Sequence, residues 1–119
     1  MLQRSLHIEQ RLTPGQCVLQ LEGPLVMSTM SQLFDLVRAD NARSLIVDLT
    51  AVPFVDSAGI GALVAAYVSS QNSGRNLALV GTNDRVRNSL RLAWVEQLFR
   101  FFDSVTAAEQ SSTTRQPPS

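Results

Sequence analysis

An acid and a hydroxyl stand together at the start of an apolar segment in FVDSAGIG, residues 54–61. Three kinds of chemistry use a pair such as Asp56-Ser57. Either side chain can cap a helix by accepting hydrogen bonds from its first N–H groups, which contributes about 1 kcal/mol. A serine with a neighbouring base can act as a nucleophile. A serine at a helix N-terminus can accept a phosphoryl group, because the N–H groups and the helix dipole favour negative charge there.

The surroundings of Ser57 argue against nucleophilic catalysis. Val55 stands where the Gly-x-Ser-x-Gly elbow of serine hydrolases has its first glycine. The chain has a single histidine, His7, far away in sequence, and it has no lysine. Capping and phosphorylation are therefore favoured over hydrolysis. Gly59 and Gly61 leave little bulk around the first turn, so the active site of a modifying protein could approach.

Alternating strands and helices must position this pair. The apolar periodicity predicts strands over residues 7–12, 17–21, 45–49, 76–80 and 101–102. Because helical patterns separate most of these strands, we predict an α/β fold with a mixed sheet of about four to five strands and about four helices. We expect one domain over residues 1–110, followed by a disordered polar tail over residues 111–119.

The helical patterns supply further expectations about individual residues. The first helix is expected to follow Ser28 as its N-cap and to bury one face, formed by Met30, Leu33, Phe34 and Val37. The second is expected to begin just after Ser57 and is apolar nearly all round, so we expect it to be well buried. The third is expected to turn Val86, Leu90, Ala93 and Leu98 inward, with Trp94 and Phe99 in packing positions. Ser104 should cap a short helix over residues 105–110.

Composition excludes several classes of function. Among 119 residues, ten acidic side chains balance ten arginines, and this zero net charge argues against nucleic acid as a main partner. One histidine and one cysteine, Cys17, cannot supply a typical zinc site or an internal disulfide. No apolar run reaches the roughly 20 residues that span a bilayer, and residues 1–10 lack a signal-peptide core. We expect a cytoplasmic protein with no metal, no cofactor and no membrane partner.

The run LIVDLTAVPFVDSAGIGALV resembles the signature of the STAS domain, in the bacterial anti-sigma factor antagonist branch. That signature is a strand ending near an Asp, a short apolar stretch, and Asp-Ser-x-Gly-[Ile/Leu/Val]-Gly opening a helix. The matching residues here are Asp48, Asp56, Ser57, Gly59, Ile60 and Gly61. The resemblance continues through the Gly74 turn, LALVG and TNDRVRNSLRLAWVEQLF to FFDS, and covers roughly residues 5–108.

The resemblance implies a reversible regulator rather than an enzyme. An unphosphorylated antagonist binds an anti-sigma factor, which is a serine kinase with a histidine-kinase-like ATPase fold, and so frees the sigma factor. The kinase phosphorylates the serine that matches Ser57, the antagonist dissociates, and a metal-dependent serine phosphatase resets it. ATP and Mg²⁺ belong to the partner. We expect the partner to contact Ser28 and the residues at the start of the helix, Asp56, Ser57, Ala58, Gly59, Ile60 and Gly61.

One position departs from the family pattern. Phosphorylated members often have Gly-x-Leu-Asp after the second strand, whereas this chain has Val26 at the last position of Gly23-Pro24-Leu25-Val26. Val26 favours a competing function, that of a non-phosphorylated STAS scaffold subunit of a signalling or transporter complex. A small-molecule or nucleotide-binding module and a serine hydrolase are two further candidate functions. Arg85, Arg87 and Arg91 form either a solvated helix face or part of a partner surface.

Overall fold

The computed structural model of the chain describes residues 5–114, the last three of them as backbone only. The strands are β1 His7–Thr13, β2 Gln16–Glu22, β3 Ser44–Ala51, β4 Asn76–Val80 and β5 Arg100–Phe102. The α-helices are α1 Met30–Ala39, α2 Ser57–Asn72, α3 Asp84–Leu92 and α4 Val105–Thr114, and a 3₁₀ turn covers Glu96–Leu98.

The five strands form one sheet in the order of the sequence, β1-β2-β3-β4-β5. A two-residue turn, Pro14-Gly15, joins the antiparallel pair β1 and β2, with Thr13 opposite Gln16. The remaining pairs are parallel, because each connection contains a helix that carries the chain back to the starting edge. The predicted α/β class, with a mixed five-stranded sheet and four α-helices, is confirmed.

Both faces of the sheet are covered, as the apolar runs of its central strands require. Along β3, Leu45 and Val47 face the large core beneath α1, α2 and α3. Ile46, one residue out of phase, faces a smaller core that Ala108 of α4 completes. Alternate residues of a strand point to opposite faces, so β3 packs into both cores. This packing holds in place the carboxyl end of β3, from which the loop to α2 starts.

Two expectations about helix ends are wrong. Thr29, not Ser28, precedes α1, and its hydroxyl does not cap the helix. The Thr29 Oγ1 atom instead accepts a hydrogen bond from the Val26 N–H at 3.0 Å and lies 2.9 Å from the Pro24 carbonyl oxygen, to which it donates. This bonding stabilises the turn before α1, so the residue's polar group is already engaged.

The second error concerns the end of α3, which stops at Leu92 rather than continuing through Leu98. Trp94 has φ 62°, a left-handed conformation that ends the helix. Ala93 is therefore exposed, and the Trp94 side chain is 83% exposed rather than packed. Phe99 is buried as expected. It packs edge-on against Tyr67, with ring centroids 5.9 Å apart.

At the C-terminal end, the expected capping residue is confirmed, since the Ser104 hydroxyl accepts a hydrogen bond from the Ala107 N–H at 3.1 Å. Helix α4 runs to Thr114, four residues beyond its expected end. Residues 115–119, the rest of the segment expected to form a polar tail, lie outside the described residues.

Candidate functional site

The start of α2 lies at the carboxyl edge of the sheet, where the loop after β3 meets the loop after β2. Leu25 and Val55 form an isolated parallel bridge that holds the two loops side by side. The Leu25 N–H donates to the Phe54 carbonyl at 3.3 Å, and the Asp56 N–H donates to the Leu25 carbonyl at 3.4 Å. Ser57 is the first residue of α2 and emerges directly from this pairing.

Asp56, and not Ser57, caps the helix. One carboxylate oxygen of Asp56 accepts the Gly59 N–H at 2.8 Å, which satisfies a first-turn donor. The other accepts the Met27 N–H at 3.1 Å, so the same carboxylate also fixes the loop before α1. Ser57 is exposed, and its hydroxyl makes no hydrogen bond to any residue between 5 and 114. Asp56 therefore takes the capping role, and the Ser57 hydroxyl is not used for it.

The two glycines of the motif have different structural roles. A side chain at Gly59 would overlap the Leu25 carbonyl oxygen, so only glycine allows α2 to approach the β2–α1 loop this closely. A methyl group at Gly61 would meet no atom within 4 Å. Gly59 is thus a packing requirement, whereas Gly61 leaves an open surface one half-turn further along the helix.

An apolar groove of about 370 Å³ lies between α1 and α2, and its lining on α2 begins at Ala58, the residue after Ser57. Its lining residues are Met30, Ser31 and Phe34 from α1, and Ala58, Gly61, Ala62 and Ala65 from α2. The expectation that α2 is well buried is therefore wrong for one side of the helix. Leu63 and Ala66 face the core, whereas Gly61 on the groove side and Val68 are exposed.

No sequence-based expectation included this groove, although the sequence contains a signal for it. Positions 58, 61, 62 and 65 follow helical spacing and hold only Ala and Gly. The apolar spacing of α1 assigns Met30 and Phe34 to its buried face, together with Leu33 and Val37. Leu33 and Val37 are fully buried, whereas Met30 and Phe34 are half-buried and line the groove. A stripe of small residues facing large, partly exposed ones is typical of an incompletely filled helix–helix contact.

The structure brings the expected site residues together. Residues 56–61 form the N-cap and first turn of α2, and within them Ser57 and Gly61 are the most exposed. Ser28 is exposed in the adjacent turn, next to Met27, whose N–H binds Asp56. Val26 is half-buried in that turn, and its backbone hydrogen-bonds to Thr29 rather than to the α2 terminus.

The charged side chains that the sequence singled out have different binding partners in the structure. Asp48 is buried, and its carboxylate accepts hydrogen bonds from the Thr50 N–H and hydroxyl at 2.9 and 2.6 Å. Arg87 contacts Glu96 at 2.7 Å and Arg91 contacts the same carboxylate at 3.8 Å, so both belong to one surface cluster. Arg85 lies over the Phe54 ring, 4.9 Å from its centroid, which places a cation beside the loop that leads to Ser57.

Among residues 5–114, no side chain forms a hydrogen bond with Ser57 that could activate its hydroxyl. His7 lies on the edge strand β1, opposite Glu22. Cys17 is buried, and burial raises the pKa of its thiol, which keeps it protonated at neutral pH. Within residues 5–114, no group of three or more His, Cys, Asp or Glu side chains could hold a metal ion. None of the described helices is both long and apolar enough to cross a membrane.

The STAS domain family matches residues 7–108. The chain belongs to the STAS domain family. This match spans all five strands of the mixed sheet and the motif at the start of α2.

Solved structures agree with this assignment. An anti-sigma factor antagonist from Mycobacterium paratuberculosis is 22% identical with a TM-score of 0.79, over 93% of this chain and 95% of that one. Unphosphorylated SpoIIAA is 14% identical with a TM-score of 0.75, over 94% and 100%. The phosphorylated form of SpoIIAA from Bacillus gives a TM-score of 0.69 at 14% identity, over 87% and 98%.

A transporter also contains this fold. The murine anion transporter Slc26a9 is 23% identical with a TM-score of 0.77, but the match covers 88% of this chain and only 19% of the transporter. At these identities, the likenesses establish the fold, and they show that STAS domains occur both alone and as part of a larger chain.

Proposed function

We propose that this STAS protein is an anti-sigma factor antagonist whose binding to a serine-kinase anti-sigma factor is switched off by phosphorylation of Ser57. The observation that carries the proposal is the division of roles at the start of α2. Asp56 already caps the helix, so the exposed Ser57 hydroxyl is available for chemistry at no cost to the fold. In this role the chain is the substrate of its partner kinase, and it needs no cofactor of its own.

The apolar groove gives the partner a surface next to the phosphorylation site. Ala58 and Gly61 present almost no side-chain bulk, so a partner segment could approach the α2 backbone closely and cover Ser57. Met27, whose N–H donates to Asp56, adds a second apolar side chain, 73% exposed, in the loop next to the start of α2. We place Ser28 at the edge of this same contact. Burial of such a patch supplies affinity through the hydrophobic effect.

A phosphoryl group at Ser57 would weaken this contact strongly. It adds about −2 charge beside the Asp56 carboxylate, at the mouth of an apolar groove. A partner that buries the groove would then have to desolvate both negative groups, which is costly. The fold itself should persist, because Ser57 is exposed. The similarity of this chain to both the unphosphorylated and the phosphorylated form of SpoIIAA supports that expectation.

A second candidate function is a scaffold subunit of a signalling or transporter complex. The absence of an acid at position 26 and the occurrence of the fold within Slc26a9 favour it. Such a scaffold would form a stable complex of fixed stoichiometry and would carry no phosphate on Ser57.

The test combines phosphopeptide mapping with binding measurements. The protein is purified from its native cells, phosphate on Ser57 is mapped by mass spectrometry, and co-purifying proteins are identified. Affinity for the enriched kinase-fold partner is then measured for wild type, Ser57→Ala and Ser57→Asp. We expect Ser57→Ala to bind like wild type and Ser57→Asp to bind at least about 30-fold more weakly, the lower range expected for an unpaired charge in an interface.

The control is Asn72→Asp, which adds the same charge at the exposed C-terminal end of the same helix. It should bind like wild type. If Ser57→Asp bound as tightly as this control, the charge mechanism would be wrong. An unmodified Ser57 under several growth conditions, together with a stable partner that is not a kinase, would favour the scaffold.

A further inference from the structure

The hairpin strand β1 is an edge of the sheet with unusual properties. Among residues 5–114, no segment pairs with its outer side. Six of its seven residues are exposed and only Ile8 is half-buried. Leu12 is 62% exposed, although it is a large apolar residue in a regular strand. Unpaired edges of this kind are templates for a further strand.

The tight turn determines which backbone groups face outward. Thr13 and Gln16 flank a two-residue turn and therefore form a hydrogen-bonded pair. Since hydrogen-bonded pairs alternate along an antiparallel ladder, Arg11, Glu9 and His7 also direct their N–H and C=O groups toward β2. The N–H and C=O groups of Ile8, Gln10 and Leu12 are left at the outer edge.

The side chains of β1 are complementary to a reversed copy of the same strand. When two copies are aligned antiparallel about Gln10, Glu9 of each lies opposite Arg11 of the other. Ile8 lies opposite Leu12, and Gln10 lies opposite itself. The outward backbone groups are then in register, because residues 8, 10 and 12 of one copy meet residues 12, 10 and 8 of the other as hydrogen-bonded pairs.

We propose that this protein forms a homodimer in which β1 pairs antiparallel with β1 of a second copy, about a two-fold axis at Gln10. The two sheets then join into one continuous ten-stranded sheet. Two Glu9–Arg11 pairs lie on the face that carries α4, and two Ile8–Leu12 pairs lie on the other face. Opposite charges and apolar residues in directly opposed positions stabilise strand pairing. The arrangement uses the same patch on both copies, as a two-fold axis requires.

Contacts already present in one copy are compatible with this pairing. Arg11 lies 3.4 Å from Glu109 of α4, which holds its guanidinium on the face where Glu9 of the second copy would arrive. A guanidinium has five N–H donors and can bind both carboxylates. The opposite edge, β5, has only three residues, Arg100–Phe102, and offers no such alternation of opposite charges.

The dimer should be weak and concentration-dependent. A contact made mainly by one strand of seven residues buries less than the roughly 1,200 Å² typical of stable complexes. Sedimentation equilibrium of the full chain from about 10 µM to about 1 mM covers the affinity range of such small interfaces. We expect a monomer–dimer equilibrium within this range.

Charge exchange tests the pairing directly. Glu9→Arg places like charges opposite one another in a homodimer, and so does Arg11→Glu; each variant should dimerise at least about tenfold more weakly. The double exchange Glu9→Arg/Arg11→Glu restores the complementarity and should dimerise again. A mixture of the two single variants should form a one-to-one heterodimer, since each copy then meets the opposite charge. Arg100→Glu, on the other edge strand, is the matched control and should dimerise like wild type.

Amide hydrogen exchange gives a second measurement that does not depend on any variant. As concentration rises, the N–H groups of Ile8, Gln10 and Leu12 should exchange more slowly, while those of Glu9 and Arg11 are already protected by β2. Circular dichroism checks that the variants remain folded. A wild-type chain that stays monomeric at about 1 mM, or single charge variants that dimerise like wild type, would overturn the proposal.

Discussion

The two ends of helix α2 are held in opposite ways. Just beyond its C-terminal end, in the turn before β4, the buried Arg75 side chain donates to the Ala42 carbonyl at 2.7 Å, to the Val37 carbonyl at 3.3 Å and to the Asp40 carboxylate at 2.9 Å. At its N-terminal end, one half-buried carboxylate, Asp56, makes the cap. The next residue, Ser57, is exposed beside an open groove.

Because of this difference, the contacts that stabilise the helix and the surface that a partner can reach lie at opposite ends of α2. The turn that follows α2 is tied to the end of α1 and to the α1–β3 loop through the largely buried Arg75 side chain. The N-terminal end uses small residues and one capping carboxylate, so a partner can reach the backbone and a charge can be added without displacing core atoms. A chain that must be modified and remain folded benefits from such a division.

The largest expected effect is at the buried end. Asp40→Ala removes the only carboxylate that the described residues place against Arg75, and it also removes the acceptor of the Ala42 N–H at 3.0 Å. A buried guanidinium without its counter-charge costs about 3–5 kcal/mol. We expect urea unfolding to show a loss near the lower end of that range, because Arg75 keeps its two carbonyl partners.

Asp35→Ala is the matched control, because Asp35 is an exposed carboxylate on α1, the helix whose C-cap is Asp40. This variant should change the free energy of unfolding by less than about 0.5 kcal/mol. Equal losses for the two variants would mean that the buried ion pair does not fix this end of α2.

The next largest effect on stability distinguishes Gly59 from Gly61, near the N-terminal end of α2. Gly59→Ala forces a methyl group against the Leu25 carbonyl, and overpacking of this kind costs about 1–3 kcal/mol. Gly61→Ala meets open space and should gain up to about 1 kcal/mol from higher helix propensity. Urea unfolding of both variants measures the difference. If the two alanines had the same effect, the close approach of α2 to the β2–α1 loop would not be a packing constraint.

Much of the fold is predictable because its signals are local. The predicted bounds of strand β4 match the observed ones, since a short apolar run ends at Gly81. The start of α2, expected just after Ser57 and observed at Ser57, follows from the Asp-Ser motif to within one residue, since caps and glycines act within a few residues. The predicted end of α3 is wrong, because apolar periodicity continues through Leu98 in the sequence. The left-handed Trp94 that ends the helix leaves no such local signal.

The site is less predictable than the fold because its contacts join distant segments. The sequence places Asp56 and Ser57 at a helix start but does not say which of them caps it. Which residue caps the helix depends in part on Met27, 29 residues earlier, whose N–H donates a hydrogen bond to the second carboxylate oxygen of Asp56. The groove likewise depends on how closely α1 packs against α2. The buried Asp40–Arg75 pair joins residues 35 positions apart, and no sequence pattern predicts it.

The smallest expected effect distinguishes the two members of the central pair. Asp56→Ala removes the cap of α2 and the link to Met27, so it should lose about 1–2 kcal/mol of unfolding free energy. Ser57→Ala removes an exposed hydroxyl and should change it by less than about 0.5 kcal/mol. Thermal and urea unfolding of both variants measures this difference in the free energy of unfolding. A loss at Ser57 equal to that at Asp56 would show that the serine supports the helix. Its hydroxyl would then be less available to a kinase, since phosphorylation would have to break a structural contact before it could change an interface.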